Sequence, residues 1–298
     1  ASSSACPAAP WELSAPPAGF HDDPYPHYLA LGGGAPLVRA RDGALLLLRH
    51  ADVSAVYRDA ATFSSDKRVE FAAKFSRSPL FEHHTTSLVF NDDPYHGRVR
   101  RMLVGALSPR ALAKLADGVE TFCRGRIAEL GYAGRCDGVA DFAAAVPVRV
   151  IGDMFDVDDG ERCALRGWSL AILKALEPSP DDDALTCGNR AVTEFSAFLE
   201  RLIAERRGRP GDPERDLLTR MIGQVGDGEA LSGRELVHNA IFLLNAGHET
   251  TTNLIGNALH ILATRPALRR QIAADRALVP AFIEEVLRFE SPNQLGNR

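Results

Sequence analysis

From Ala35 to Val53 the chain alternates or runs apolar on either side of Arg41-Asp42-Gly43, the composition of a short hairpin. After about Pro94 the pattern changes: apolar residues recur at three- and four-residue spacing almost throughout, and helix starts are marked by Asp93-Pro94, Ser108-Pro109 and Ser232. Ser232-Gly-Arg-Glu235 is a capping box, in which each side chain satisfies an otherwise orphaned backbone N–H. The helix it opens is predicted from about Gly233 to Thr264, where Pro266 stops it, a span of roughly 45 to 50 Å at 1.5 Å per residue. Such a helix must cross the molecule. Its ends are apolar on several faces, as burial requires, yet its middle, Asn245 to Asn253, is rich in Asn, His, Glu and Thr. The pattern predicts a mainly α protein with a small N-terminal β region.

Composition narrows the function classes. The 298 residues are 45% hydrophobic and 24% charged, enough for a large core, and the formal net charge is −5. No basic excess would attract nucleic acid or an anionic membrane. No apolar stretch approaches the roughly 20 residues of a membrane span. Residues 1–17, rich in Ala, Ser and Pro, lack the basic and apolar segments of a secretory signal and are expected to form a flexible arm. The five cysteines, Cys6, Cys123, Cys136, Cys163 and Cys187, form no C-x-x-C pair, which fits a reduced, cytoplasmic protein.

The chemistry gathers on the long helix. Phe242, Ala246, Glu249 and Thr250 stand at i, i+4, i+7 and i+8 and share one face. Ala246-Gly247 leaves room for a flat ligand, and the Gly with the Thr run is expected to loosen the helix locally. The plainer alternative is that the threonines bond back to their own helix and Glu249 is solvated. A zinc site of the H-E-x-x-H type would need a second His where Thr252 stands.

Three ordered motifs carry a family resemblance. The run from Ala246 to Thr251 resembles the oxygen-binding helix motif of cytochromes P450, (A/G)-G-x-(D/E)-T-(T/S). Downstream, Glu284 to Pro292 resembles the E-x-x-R helix and the turn after it, with Glu285 and Arg288 as the structural pair. Upstream, Leu88 to Arg101 is similar to the helix that places a His and an Arg one turn apart, here His96 and Arg100. Shorter phrases around Asp23, Arg49, Phe63 and Ser108 extend the likeness to residues 18–298.

The resemblance implies one P450-type domain: an arm at 1–17, a small β-containing region over about 18–65 and a helical region over about 66–298. It implies haem b, with His96, Arg100 and Arg298 on the propionates, Ala246 and Gly247 along the oxygen groove, and Glu249 with Thr250 as the catalytic proton relay. It implies electrons derived from NAD(P)H through a ferredoxin or flavodoxin-like partner, and a hydrophobic small-molecule substrate. The inward face of the long helix suggests Val89, Phe242, Asn245, Ala246 and Leu295 as substrate contacts, and the stretches Val69 to Thr86 and the loop around Glu177 to Cys187 as the entrance. Arg98 and Arg101 are expected on a solvated basic face, where an acidic donor would dock.

The family's iron ligand is a Cys thiolate in a loop well beyond the E-x-x-R helix. None of the five cysteines has that context, so the C-terminal part of the fold, with its ligand loop, is expected downstream of residue 298. A second reading stays open: a haem-free, P450-like helper that binds and stabilises a partner enzyme.

Overall fold

The computed structural model describes residues 11–12, 15–32, 35–40, 43–107, 109–226 and 229–297. They fall into two compact units, one of residues 1–65 with 176–181 and 298, the other of residues 66–175 and 182–297.

The smaller unit holds α1 (Tyr25–Gly32), the antiparallel strands β1 (Leu37–Arg39) and β2 (Leu45–Leu47), and α2 (His50–Arg58). Leu37 faces Leu47, Val38 faces Leu46 and Arg39 faces Leu45. Alternation sorts these side chains, so Val38 is buried against Leu31, Trp11, Leu46 and Leu48 while Leu45 is exposed. Arg41 and Asp42 of the expected turn lie outside the described residues, as do most of residues 1–17 and all of Ser108. The hairpin is therefore where the pattern placed it, but it is shorter. From His50 the chain is already helical, because Asp52, Val53 and the residues after them follow no two-residue alternation.

In the larger unit come α3 (Arg68–Phe75), α4 (Pro79–Thr86), a 3₁₀ turn at Leu88–Phe90, α5 (Tyr95–Ala106), α6 (Pro109–Ala113) and α7 (Ala116–Ala133). A π-helix at Gly138–Ala143, α8 (Ala145–Met154), α9 (Asp159–Leu176), α10 (Asp182–Gly208) and α11 (Leu217–Gly223) follow. Then come a two-residue pair of strands, β3 (Val225–Gly226) and β4 (Glu229–Ala230), and α12 (Gly233–Thr264), α13 (Pro266–Ala274) and α14 (Val279–Phe289). The helical pattern thus begins well before Pro94, and the stretch Val69 to Thr86 is mostly helical. Phe71, Phe75, Leu80, His83 and His84 there are buried helix residues. The second expected entrance loop shrinks to residues 177–181, since α10 starts at Asp182.

The capping box forms as expected: Ser232 Oγ accepts from the Glu235 N–H, and the Ser232 N–H donates to Glu235 Oε2. It starts α12, the helix around which α4, α8, α10, α11, α13 and α14 pack. Leu236, Val237, Ala240, Ile241 and Leu244 bury its first half on more than one face. Alongside it, α10 buries Ala184, Gly188, Ala191, Val192, Phe195 and Leu199 at three- and four-residue spacing. A Cβ on Gly188 would lie 2.7 Å from that of Ala175 and 3.1 Å from Leu80 Cδ1, so only glycine lets α10 approach α9 and α4 this closely.

Three histidines sit in this core. His83 and His84 of α4 and His238 of α12 are only 2%, 4% and 6% exposed, and the His83 ring lies 4.9 Å from that of His84 and 5.6 Å from that of His238. Phe71, Phe75 and Phe90 enclose His84. Burial disfavours the imidazolium, and Lys74 and His238 add to it, so the His84 pKa falls to about 3 from 6.5. Burial likewise depresses His83 and His238, the latter against the opposing pull of Glu82 and with the help of Arg234.

A neutral buried histidine stabilises the fold above its unfolded pKa. As pH falls below that value the unfolded chain takes up a proton that the fold refuses, and stability is lost until the folded pKa is reached. For His84 the window runs from 6.5 down to about 3, at about 1.4 kcal/mol per pH unit. Chemical denaturation between pH 6 and 4 should therefore show a steep acid-side loss, made shallower by one proton in His84→Phe. An unchanged slope in that variant would mean that the buried ring titrates freely.

Candidate functional site

The open part of α12 is its middle. Phe242 is half-buried and Ala246 and Thr250, one and two turns on, are exposed, while Leu244, Asn245, His248 and Thr252 of the same stretch are buried. The helix therefore has one packed side, which includes Asn245, His248 and Thr252, and one open side bearing Ala246 and Thr250. Ala246 lies on the open side. Gly247 is half-buried instead, and a Cβ added there would meet Ile151 Cδ1 of α8 at 3.4 Å, an ordinary van der Waals contact. The expected loosening is not found. The helix is α throughout, with the Thr250 hydroxyl donating to the Ala246 carbonyl at 2.8 Å and that of Thr252 to the His248 carbonyl at 3.0 Å. Back-bonding uses each hydroxyl hydrogen within the helix and leaves its oxygen as an acceptor.

Glu249, beside this face, is half-buried, and its Oε2 is buried with no hydrogen-bond partner among the described residues. It is not a solvated surface acid. An unpaired buried carboxylate oxygen is costly and marks a place where a polar atom belongs. His248, on the packed side, is 3% exposed with neither ring nitrogen partnered among the described residues; burial, then Arg166, holds its pKa below the ordinary value.

On α5, His96 and Arg100 stand one turn apart. Arg100 is exposed and has no carboxylate partner among the described residues, and His96 Nδ1 lies 3.9 Å from Asp93 Oδ1. Arg98 corrects an expectation. It is no solvated docking cation, because its guanidinium donates to Glu235 Oε1 of α12, with only 22% of the Arg98 side chain and 15% of the Glu235 side chain exposed.

The remaining residues are placed by asparagines of α12. Asn239 Oδ1 accepts from the Leu88 N–H at 2.9 Å and its Nδ2 donates to the Glu235 carbonyl, which holds the turn bearing Val89, 42% exposed. Asn253 donates to the Pro292 carbonyl and Asn257 to that of Glu290, at 3.3 and 2.8 Å, which ties down the segment bearing Leu295, 46% exposed. Asn245 is placed differently from Ala246: it is buried, and its Oδ1 accepts from the Ser169 hydroxyl of α9. Sequence reasoning missed Asn239, Asn253 and Asn257, although an asparagine recurring in a helix that must be buried is itself the signal.

Glu285 and Arg288 of α14 form a forked pair, Nε to Oε2 at 2.8 Å and Nη2 to Oε1 at 2.6 Å. Arg288 holds the Glu285 carboxyl below its ordinary pKa. The pair is solvent-exposed in the described fold. Arg298 lies outside the described residues. Among the described residues no group of three or more His, Cys, Asp and Glu side chains is placed to hold a metal, and no helix is long and apolar enough to cross a membrane.

The longest helix thus opens in its middle on a small residue and a hydroxyl, with a carboxylate oxygen that has no partner among the described residues next to them, and α5 carries a His and an Arg one turn apart. The cytochrome P450 family model matches residues 183–297. The vitamin D(3) 25-hydroxylase of Pseudonocardia autotrophica is 32% identical over 92% of this chain and 66% of its own length. The structure of cytochrome P450 CYP109Q5 from Chondromyces apiculatus, 31% identical, superposes with a TM-score of 0.78 over 95% of this chain and 68% of that one. The fold alone is also shared with P450BioI, at a TM-score of 0.85 and 24% identity. The chain belongs to the cytochrome P450 family, a family of monooxygenases. It spans about two-thirds of the length of the curated relatives it matches.

The Ser169–Asn245 bond gives a measurable consequence. Ser169→Ala leaves a buried amide oxygen without its donor and should lower stability by about 1–3 kcal/mol in urea unfolding. Adding Asn245→Leu, which removes the stranded group, should recover most of that loss; a double variant weaker than the single one would refute the account.

Proposed function

We propose that this protein is a haem-thiolate monooxygenase that inserts one atom of O2 into a small hydrophobic substrate, using electrons from NAD(P)H delivered by a separate ferredoxin or flavodoxin-like protein. The observation that carries it is the buried, partnerless Oε2 of Glu249 beside the open Ala246–Thr250 face. The residues suit haem: Arg100, with no carboxylate partner among the described residues, stands one turn from His96, and Ala246 keeps the helix wall low where a planar ring would lie. When bound, the haem supplies oxygen binding and reductive oxygen activation, with a Cys thiolate as the family's iron ligand. Cys123, Cys136, Cys163 and Cys187 are not assigned that part.

The chain's own groups have distinct tasks. His96 and Arg100, joined by Arg298 through the family resemblance, hold the propionates by charge-assisted hydrogen bonds. Glu249 holds a proton at its Oε2, and the Thr250 hydroxyl oxygen, fixed by its bond to Ala246, accepts a hydrogen bond from the water that conducts it. Val89, Phe242 and Leu295 offer apolar surface to the substrate, and Asn245 sets the position of α9 over the helix instead of touching the substrate directly. Among relatives, a vitamin D(3) 25-hydroxylase and an erythromycin C-12 hydroxylase carry names that support a bulky, largely apolar substrate.

Two measurements test this. The reduced natural protein exposed to carbon monoxide should give the absorption band of thiolate-bound haem; a protein that binds no haem would favour the partner-stabilising helper instead. In the active protein, Thr250→Ala should consume NAD(P)H at a similar rate while the fraction recovered as product falls about tenfold or more, within the range of positioned acid–base groups. Unchanged coupling would remove Thr250 from the relay.

A further inference from the structure

Glu235 does more than its place in the capping box demands. A capping box uses one carboxylate oxygen, and here Oε2 accepts from the Ser232 N–H at 2.8 Å. The second oxygen, Oε1, goes to Arg98, 137 residues earlier in the chain. Burial by itself would raise the Glu235 pKa, but the Ser232 bonds and Arg98 overcome it and hold the carboxyl ionised below the ordinary range. The contact is braced on both sides. The Arg98 guanidinium lies over the Tyr95 ring at 5.4 Å, the Tyr95 hydroxyl donates to the Thr86 carbonyl, and Asn239, one turn after Glu235, bonds to both the Glu235 carbonyl and the Leu88 N–H.

The geometry on either side gives this joint its meaning. On α5, His96 and Arg100 each stand two residues from Arg98, about 200° around the helix, so the ion pair grips one side and the His and Arg project from the other. Val99 and Met102, 0% and 2% exposed, hold α5 as a rigid unit. On α12, Ala246 is eleven residues beyond Glu235, about 16 Å along an unbroken helix. The Arg98–Glu235 pair therefore joins the element carrying His96 and Arg100 to the element carrying the open wall.

We propose that Glu235, through Arg98, is a positioning residue that sets the spacing between the His96/Arg100 pair and the Ala246–Thr250 face, and so governs how firmly a propionate-bearing macrocycle is retained. This rests on the haem assignment above. The effect is distinct from helix initiation, because one carboxylate serves both and the two tasks separate by substitution. In Glu235→Gln the amide oxygen still accepts from the Ser232 N–H, whereas the ionic grip on Arg98 is lost.

The test uses the natural holoprotein and follows haem transfer to excess apomyoglobin. Glu235→Gln and Arg98→Gln should each release haem about tenfold faster, as for other groups that support a ligand from behind, with helix content by circular dichroism unchanged. The double variant should be no faster than the faster single one, and Arg98→Lys should fall between native and Arg98→Gln. Release within twofold of native in both single variants, or effects that multiply in the double variant, would overturn the inference while leaving the haem assignment intact. Should Glu235→Gln fold poorly, Arg98→Gln and Arg98→Lys carry the comparison alone. A native protein that takes up no haem overturns the haem assignment and this inference with it.

Discussion

A helix of 32 residues, about 48 Å long, satisfies its own backbone and can pass through a core where a strand or loop would strand its N–H and C=O groups. That property shapes the larger unit. Because the backbone of α12 needs nothing from outside except at its ends, its side chains are free to be apolar where neighbours pack and polar where a site opens. The capping box deals with the exposed N–H groups at the start. Everything placed around the site is then measured from α12: the turn at Val89 by Asn239, the segment at Leu295 by Asn253 and Asn257, α9 by Asn245, and α5 by Glu235. A few amide and carboxylate side chains on one rigid rod thus position elements far apart in sequence.

The same rod explains why the middle of the site tolerates polarity. Buried polar groups are stable when partnered, and most of those on α12 have partners reached along or across the helix. The exceptions are His238, His248 and Glu249. The histidines meet the cost by staying neutral, which burial enforces. Glu249 is different in kind, since its Oε2, buried and without a partner among the described residues, belongs to a residue beside the open face. Next to it the Thr250 hydroxyl is tied to its own helix, the arrangement on which the proposed proton relay rests.

Much of this architecture was legible in the amino acids. The hairpin, the capping box, the bounds of α12 and the i, i+3 pairing of Glu285 with Arg288 follow from interactions between residues close in sequence, whose geometry is set by the period of a helix or a strand. Three motifs in order then placed the family, and singled out the middle of α12 and the His96/Arg100 spacing on α5. Local pattern assigned no element to Val69 to Thr86, whose short helices bury Phe71, Phe75 and Leu80 and gain their form from packing against the unit's core.

What the sequence determined alone is therefore the hairpin, the long capped helix, the mainly helical character of the rest and which residues of the long helix share a face. Tertiary structure decided the pairings: that Arg98 belongs to Glu235 and not to solvent, that Asn245 belongs to Ser169, and that Glu249 Oε2 is buried without a partner among the described residues. Each of these depends on which helix lies opposite. Burial converts a side chain's meaning, from solvated charge to joint or from polar residue to orphan, and burial arises only when residues distant in the chain are brought together by the folded core.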